Sequence, residues 1–236
     1  MSENTAMRLI GLLSLVAIVT GTIAGCAYSL NPLSSPGEGF VDPYLHGTWR
    51  LHEVAQSAEG LELAPTSDQS VIVVTTEEDK EEVSICILFE DYCCLTGHST
   101  LLGAKKYFNL LTRNDENCDD IVSEDCPYLI FQYETFPSDA VLSQIANEYG
   151  VDNSGAEAIF SGFEGQLIIL WYLPAVAVEE AIRAQRIEGE SRRFTPVDDI
   201  CINADSEALQ EFFASSDSDL YQEQLGIYVR ESFATD

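Results

Sequence analysis

Gly97, His98 and Ser99 form the stretch of this sequence that comes nearest to a nucleophile motif. The nucleophile elbow of hydrolases has the pattern G-x-S-x-G, because its second glycine lets a strand turn sharply into a helix. Here Leu101 occupies that position, and no helical pattern follows. Adjacency of histidine and serine in sequence does not make a triad either, since triad members meet through the fold. The stretch gives little support for a serine hydrolase.

Metal-binding residue types occur in two further groups. Cys93 and Cys94 lie near His98, but a zinc site needs four ligands and no second pair with C-x₂-C spacing is present. The acidic run Asn114–Asp120 lacks the central glycine and terminal glutamate of an EF-hand calcium loop. We therefore expect no metal and no cofactor. A hydrolase-type enzyme with a site of scattered carboxylates and histidines stays as an alternative.

The cysteine with the most informative surroundings is Cys26. It follows the apolar segment Leu9–Ala24, which is preceded by Arg8 and is short for a membrane span of about 20 residues. This composition predicts a signal peptide over residues 1–25. The stretch Ile23-Ala24-Gly25-Cys26 resembles the lipobox of bacterial lipoproteins, which implies acylation of Cys26, for example by palmitate. An uncleaved anchor helix, or a cleaved signal with Cys26 merely nearby, are the alternatives.

The resemblance also implies a place in the cell. Residue 27 is alanine, not the aspartate that often retains such lipoproteins at the inner membrane, so it implies the outer membrane of a bacterial cell envelope. Two or more acyl chains hold a protein durably on a membrane. Residues 26–41, with the Pro-, Gly- and Ser-rich stretch Asn31–Gly39, have the composition of a tether between this anchor and a domain.

Composition limits the partners and the number of domains. The formal net charge is −29, which argues against nucleic acid and anionic lipid headgroups because both would be repelled. Aliphatic and aromatic residues suffice for a packed core, and we predict one β-rich domain over residues 42–236. In an exported protein the six cysteines after Cys26 favour disulfides, with fifteen possible pairings. The short acidic loop between Cys118 and Cys126 makes that pair the favoured one.

The pattern of apolar residues and turn signals predicts about eight strands. They are placed near Trp49–Val54, Ser70–Thr76, Val83–Glu90, Cys94–Leu101, Tyr107–Arg113, Tyr128–Thr135, Leu167–Leu173 and Leu225–Ser232. Three helices are predicted at Ser138–Tyr149, at Ala175–Ile187 and after the capping residue Asp205. Eight strands are enough to close a small barrel. The predicted fold class is mainly β (α+β): an antiparallel barrel with three accessory helices.

Two short motifs refine this prediction. Gly47-Thr48-Trp49, at the entry to the first strand, resembles the G-x-W opening of lipocalins and related barrels. That resemblance implies that Trp49 closes one end of the barrel and that Arg230, in the last strand, packs over its indole. The order of motifs along the chain also resembles a group of uncharacterised bacterial lipoproteins. We expect a lipid-anchored, non-enzymatic domain that binds a small apolar ligand or an envelope protein; a purely structural envelope protein is a third interpretation.

Overall fold

The computed structural model describes residues 27–57, 60–66, 71–76, 83–88, 92–111, 126–171, 173–193, 198–215 and 225–231. Twelve strands form one mixed sheet. They are β1 Ala27–Ser29, β2 Gly47–Ser57, β3 Gly60–Pro65, β4 Val71–Thr76, β5 Val83–Leu88, β6 Tyr92–Leu102, β7 Lys105–Leu111, β8 Tyr128–Glu134, β9 Leu167–Trp171, β10 Gly189–Arg193, β11 Asp198–Ile202 and β12 Leu225–Arg230. In the described ranges, the α-helices are α1 Asp139–Tyr149, α2 Asn153–Ile159, α3 Ala175–Arg183 and α4 Ser206–Ser215.

Eight of the strands pair in a continuous antiparallel order, β8-β7-β6-β5-β4-β2-β12-β9. The last of them, β9, also pairs with β8, with Gln132 opposite Trp171 and Glu134 opposite Ile169. Each strand of this eight-strand set therefore pairs with two others of the set, and the pairing returns to the strand at which it started. These eight strands are the eight that the sequence predicts.

The remaining strands extend the sheet beyond the eight-strand set. β1 pairs antiparallel with β8 and parallel with β11, and β10 continues from β11. β3 forms a hairpin with the outer half of β2. These strands are short, and the sequence prediction contains none of them. The coarse class, a mainly β domain with helices, is confirmed.

Capping residues explain where several of the helices begin and end. Asp205, the predicted cap, accepts a hydrogen bond from the Ala208 N–H at 2.9 Å at the start of α4. The Asp152 carboxylate accepts from the Gly155 N–H in the same way at the start of α2. Gly150 ends α1 with a φ of 69°, a left-handed conformation that glycine adopts without strain. The described residues thus contain four α-helices, whereas three were predicted. The short α2 was not predicted because it has too few apolar residues at helical spacing.

The two faces of the eight-strand set bury different clusters. One face carries Trp49, Phe108 and Ile168 and is called the cavity face below. The opposite face, which carries Tyr107 and Ile169, packs against the helices in a larger buried cluster. In this cluster the ring of Tyr107 meets Phe213 of α4 edge-on at 5.5 Å between centroids. Burial raises the pKa of the Tyr107 hydroxyl to about 12.

The predicted tether over residues 26–41 is wrong for residues 27–41, since these residues are packed into the domain. β1 lies between β8 and β11, and Leu33 is fully buried in the helix-side cluster. The Leu33 N–H donates to the Asn109 side-chain oxygen at 2.7 Å, and the ring of His98 bonds the Ser34 carbonyl at 2.7 Å. The segment has the composition of a linker, but the Leu33 side chain is buried, and the backbone groups of Leu33 and Ser34 bond side chains of β7 and β6. The domain therefore includes residues 27–41 and does not begin at residue 42.

A close backbone approach explains one glycine of this segment. Phe40 and Ser99 exchange two backbone hydrogen bonds of 2.9 and 3.0 Å. A Cβ on Gly39 would lie 2.5 Å from His98 Cδ2 and 2.9 Å from the Ser99 carbonyl oxygen. Only glycine fits there without displacing β6. Among the described residues, no helix has both the length and the apolar character needed to span a membrane.

Candidate ligand-binding site

A cavity of about 160 Å³ lies against the cavity face of the eight-strand set. Its walls are almost entirely apolar, and they come from six strands and the turn before β2. The lining residues are Leu45, Trp49, Ile72, Val74, Phe108, Leu110, Phe131, Tyr133, Ile168, Leu170 and Tyr228. A space of this size exceeds the volume of a water molecule several-fold, and its apolar walls offer few partners to hold water.

Strand alternation explains why these residues share one face. Successive side chains of a strand point to opposite sides of the sheet. In β7, Phe108 and Leu110 line the cavity, whereas Tyr107 and Asn109 belong to the opposite face. β9 behaves likewise: Ile168 lines the cavity, and the neighbouring Ile169 is fully buried in the helix-side cluster.

One end of the cavity is closed by Trp49, which is only 1% exposed. Its indole N–H donates to the Leu45 carbonyl at 2.7 Å. The guanidinium of Arg230 lies over the indole, with Cζ 4.6 Å from the ring centroid, and Arg230 stands opposite Trp49 in the pairing of β12 with β2. The stacking predicted from the two motifs is thus present. A cation over an indole face stabilises the pair by about 0.5–2 kcal/mol, more where water is excluded.

Arg230 also contacts the turn before β2, at the end of the cavity that Trp49 closes. Its Nη2 donates to the Tyr44 carbonyl at 2.5 Å, and its Cζ lies 5.2 Å from the Tyr44 ring. Gly47 of the G-x-W motif has a φ of 139°, in a region that residues with a Cβ rarely adopt. The motif therefore has a local physical reason: the glycine allows the turn, and the tryptophan fills the end of the cavity that the turn covers.

A buried polar cluster sits beside Trp49 at this closed end. Asp42, 5% exposed, accepts from Lys106 Nζ at 2.8 Å and from the Tyr133 hydroxyl at 3.0 Å. The Tyr133 oxygen also lies 3.0 Å from Ser99 Oγ. Asp42 also caps the 3₁₀ turn Pro43–Leu45 by accepting from the Tyr44 N–H. Ser99, the serine of the nucleophile-like stretch, is 1% exposed, so in this structure it is a structural group that substrate does not reach.

Burial, hydrogen bonds and charges in this cluster shift the pKa values of Asp42 and Tyr133 in opposite directions. Burial alone would raise the pKa of the Asp42 carboxyl, but the hydrogen bonds from Lys106, Tyr44 and Tyr133 and the Lys106 charge outweigh burial and lower it. Burial raises the pKa of the Tyr133 hydroxyl far above its usual value, and the Asp42 charge adds to this. At neutral pH the cluster therefore holds a carboxylate at Asp42 and a neutral phenol at Tyr133.

The predicted pairing of Cys118 with Cys126 is wrong, because Cys126 forms a disulfide with Cys201. Their Cα atoms are 6.0 Å apart, while the two residues lie 75 positions apart in sequence. β1 accounts for their approach: Tyr28 pairs with Cys201 on one side, and Ser29 pairs with Tyr128, two residues after Cys126, on the other. The position of β1 between β8 and β11 is what brings these cysteines together, and the prediction of a tether at residues 26–41 does not include it. Cys118 and Cys26 lie outside the described residues.

The histidines of the described residues, and the cysteines of β5 and β6, are dispersed. His46 follows the 3₁₀ turn, the half-buried His52 packs edge-on against Phe163, and His98 bonds the N-terminal segment. Cys86 and Cys94 are opposite each other in the pairing of β5 with β6. The acidic run Asn114–Asp120 lies outside the described residues. No group of three metal-ligating side chains occurs in the part of the chain that the structure describes.

The cavity lining and the Asp42 cluster are not among the predicted features. β9, with the sequence LIILW, shows no alternation of polar and apolar residues because both of its faces are buried. No alternation of polar and apolar residues in the sequence therefore indicates that Ile168 and Leu170 face the cavity. Asp42, Lys106 and Tyr133 are far apart in sequence, and only the pairing of β7 with β8 brings the last two together, with Lys106 opposite Tyr133.

Comparison with known proteins adds no further assignment: no family model, curated protein or solved structure matches this chain.

Proposed function

We propose that this protein is a lipid-anchored protein of the bacterial cell envelope that binds a small apolar ligand in a lipocalin-like barrel. The proposal that the protein binds a ligand rests on the apolar cavity of about 160 Å³ on the cavity face of the eight-strand set. The cyclic pairing of that set supports the barrel, and the Trp49–Arg230 stack supports its closed end. The lipobox-like stretch before Cys26 supports the anchor at the outer membrane.

The volume and the walls define the ligand class. A cavity of about 150 Å³ lined by Leu, Ile and Phe in an engineered protein stays dry and binds benzene. The cavity described here has a similar size and wall chemistry, so the proposed ligand is an uncharged apolar group no larger than a substituted benzene ring or a short alkyl chain. An ionised ligand is disfavoured, because the lining offers no counter-charge to a buried ion.

Benzene is therefore the probe for this function. Ligand that binds only the folded protein raises the free energy of unfolding, by about 2.7 kcal/mol at one hundred times its Kd. We expect urea unfolding of the wild-type domain to show an increase that rises with benzene concentration. Val74→Phe, which fills the cavity, should abolish the increase.

Val176→Phe supplies the matched control, because it makes the same substitution at an exposed position and should keep the response. An absent benzene effect in the wild-type protein, or an equal effect in Val74→Phe, would contradict the proposed function. The first result would leave the envelope-protein partner as the better explanation of the domain.

A further inference from the structure

We infer that Gly97 and Phe108 set the upper size of the ligand, so that the cavity accepts one ring or a short alkyl chain and excludes a ligand with two linked rings. This inference rests on the proposed function and deepens it, because it concerns the selectivity of the same cavity. It also gives a role to Gly97, the first residue of the nucleophile-like stretch in the sequence.

The first observation is the position of the Phe108 ring, which is buried and lines the cavity. A Cβ on Gly97 would lie 2.6 Å from Cε1 and 2.7 Å from Cζ of this ring. Carbon atoms in favourable contact are about 3.5–4.0 Å apart. The outer edge of the Phe108 ring therefore occupies the space in which any other residue at position 97 would carry its side chain.

The pairing of β6 with β7 explains this close approach. Ser99 is directly opposite Phe108, and Gly97 is opposite Leu110. Gly97 is therefore the diagonal neighbour of Phe108 on the cavity face, within reach of an aromatic ring. The Ser99 hydroxyl is hydrogen-bonded to the Tyr133 hydroxyl, with 3.0 Å between the oxygens. Of these two positions on β6, Gly97 is thus the one that leaves room for the ring.

A second aromatic residue limits the ring on its other side. Phe131 of β8 stands opposite Phe108 in the pairing of β7 with β8, and it also lines the cavity. The nearest open space for a ring displaced from Gly97 is therefore the cavity itself. Gly97 keeps this space open by accepting the ring, and the ring forms part of the wall that ends it.

The size of the cavity fits this arrangement. Its volume of about 160 Å³ is close to that of an engineered cavity that binds benzene. Biphenyl is benzene with one additional phenyl group, and that group has no place while the Phe108 ring is present. Phe108→Ala removes a phenyl group from the wall. This substitution should therefore open the site to the larger ligand.

The test measures urea unfolding with and without saturating biphenyl, because a ligand that binds only the folded protein raises the urea midpoint. We expect biphenyl to raise the midpoint of Phe108→Ala, to raise that of Phe108→Leu less, and to leave the wild-type midpoint unchanged. Phe213→Ala is the matched control, because it removes the same group from a buried side chain in the helix-side cluster. The space that it opens holds one ring away from the cavity, so biphenyl should not stabilise this variant.

Gly97→Ala tests the other half of the inference. It should bind benzene at least about tenfold more weakly than the wild-type protein, since the displaced Phe108 ring enters the cavity. A Cβ at position 97 would also lie 2.4 Å from the Asn109 carbonyl oxygen. The same substitution in a Phe108→Ala background separates this backbone contact from the ring contact. In that background we expect Gly97→Ala to leave the benzene affinity unchanged.

The possible results distinguish the size limit from the proposed function. A biphenyl shift in the wild-type protein, or no shift in the Phe108 variants that fold, would overturn the size limit while benzene binding stands. An equal loss of benzene affinity for Gly97→Ala in both backgrounds would overturn the role of Gly97. Absence of any benzene effect on the wild-type protein would instead overturn the proposed function.

Discussion

The closed end of the eight-strand set and the cavity directly above it are built from the same strands but are filled differently. At the closed end, Trp49 is covered by Arg230 and Tyr44, and Asp42 has three hydrogen-bond donors. Above it, branched aliphatic side chains and ring faces leave about 160 Å³ of space. The same face of the sheet is thus tightly packed where large and hydrogen-bonded side chains meet, and it leaves an apolar space where they do not.

The largest expected effect is at the closed end. Trp49→Ala removes a fully buried indole and leaves a cavity, which should lower the free energy of unfolding by about 3–5 kcal/mol. Arg230→Gln removes the cation over the indole and the hydrogen bond from the guanidinium to the Tyr44 carbonyl, and it should also lower this free energy, with about 0.5–2 kcal/mol coming from the lost stacking. Urea unfolding at neutral pH measures both. If Trp49→Ala unfolded at the same urea concentration as the wild-type protein, the closed end would not be the stabilising region.

A smaller effect depends on pH. The pKa of Asp42 is lowered in the folded state, so its contribution to stability is present above the unfolded pKa of about 3.9 and is lost as pH falls through the folded value. Hydrogen bonds to a charged group contribute about 1.5–3 kcal/mol. We expect Asp42→Asn to be less stable than the wild-type protein by this amount at pH 7, and the difference to shrink below about pH 4.

Val74→Phe, which changes only the cavity, serves as the comparison for this pH dependence. Its difference from the wild-type protein should stay the same between pH 7 and pH 3, because no titratable group lines its site except buried tyrosines that remain neutral there. A pH-independent difference for Asp42→Asn would show that the carboxylate charge does not stabilise the closed end.

The eight strands and the closed end could be predicted from the sequence, whereas β1 could not. The eight strands of the set were predicted because each has a run of β-branched or aromatic residues between turn signals. The G-x-W motif and Arg230 led to the closed end because both belong to short local patterns. β1 was missed because its three residues, Ala27–Ser29, have no pattern of their own and are a strand only through pairing with β8 and β11.

The cavity itself could not be predicted for a different reason. Whether the face of a sheet is filled depends on the summed volumes of side chains from many strands and on their rotamers. Ile72, Phe131 and Ile168 are separated by dozens of residues in sequence, and no local pattern records their joint volume. The Cys126–Cys201 disulfide was missed for the related reason that it depends on the position of β1.

The most direct test of the central claim compares two neighbouring residues of β9. Ile168 lines the cavity, whereas Ile169 is buried on the opposite face among the helices. We expect methyl NMR spectra recorded during a benzene titration to show a saturable shift of the Ile168 signals, because the ring current acts on the methyl groups that it contacts, and no shift of the Ile169 signals. An unmoved Ile168, or equal shifts of both residues, would contradict binding in the cavity.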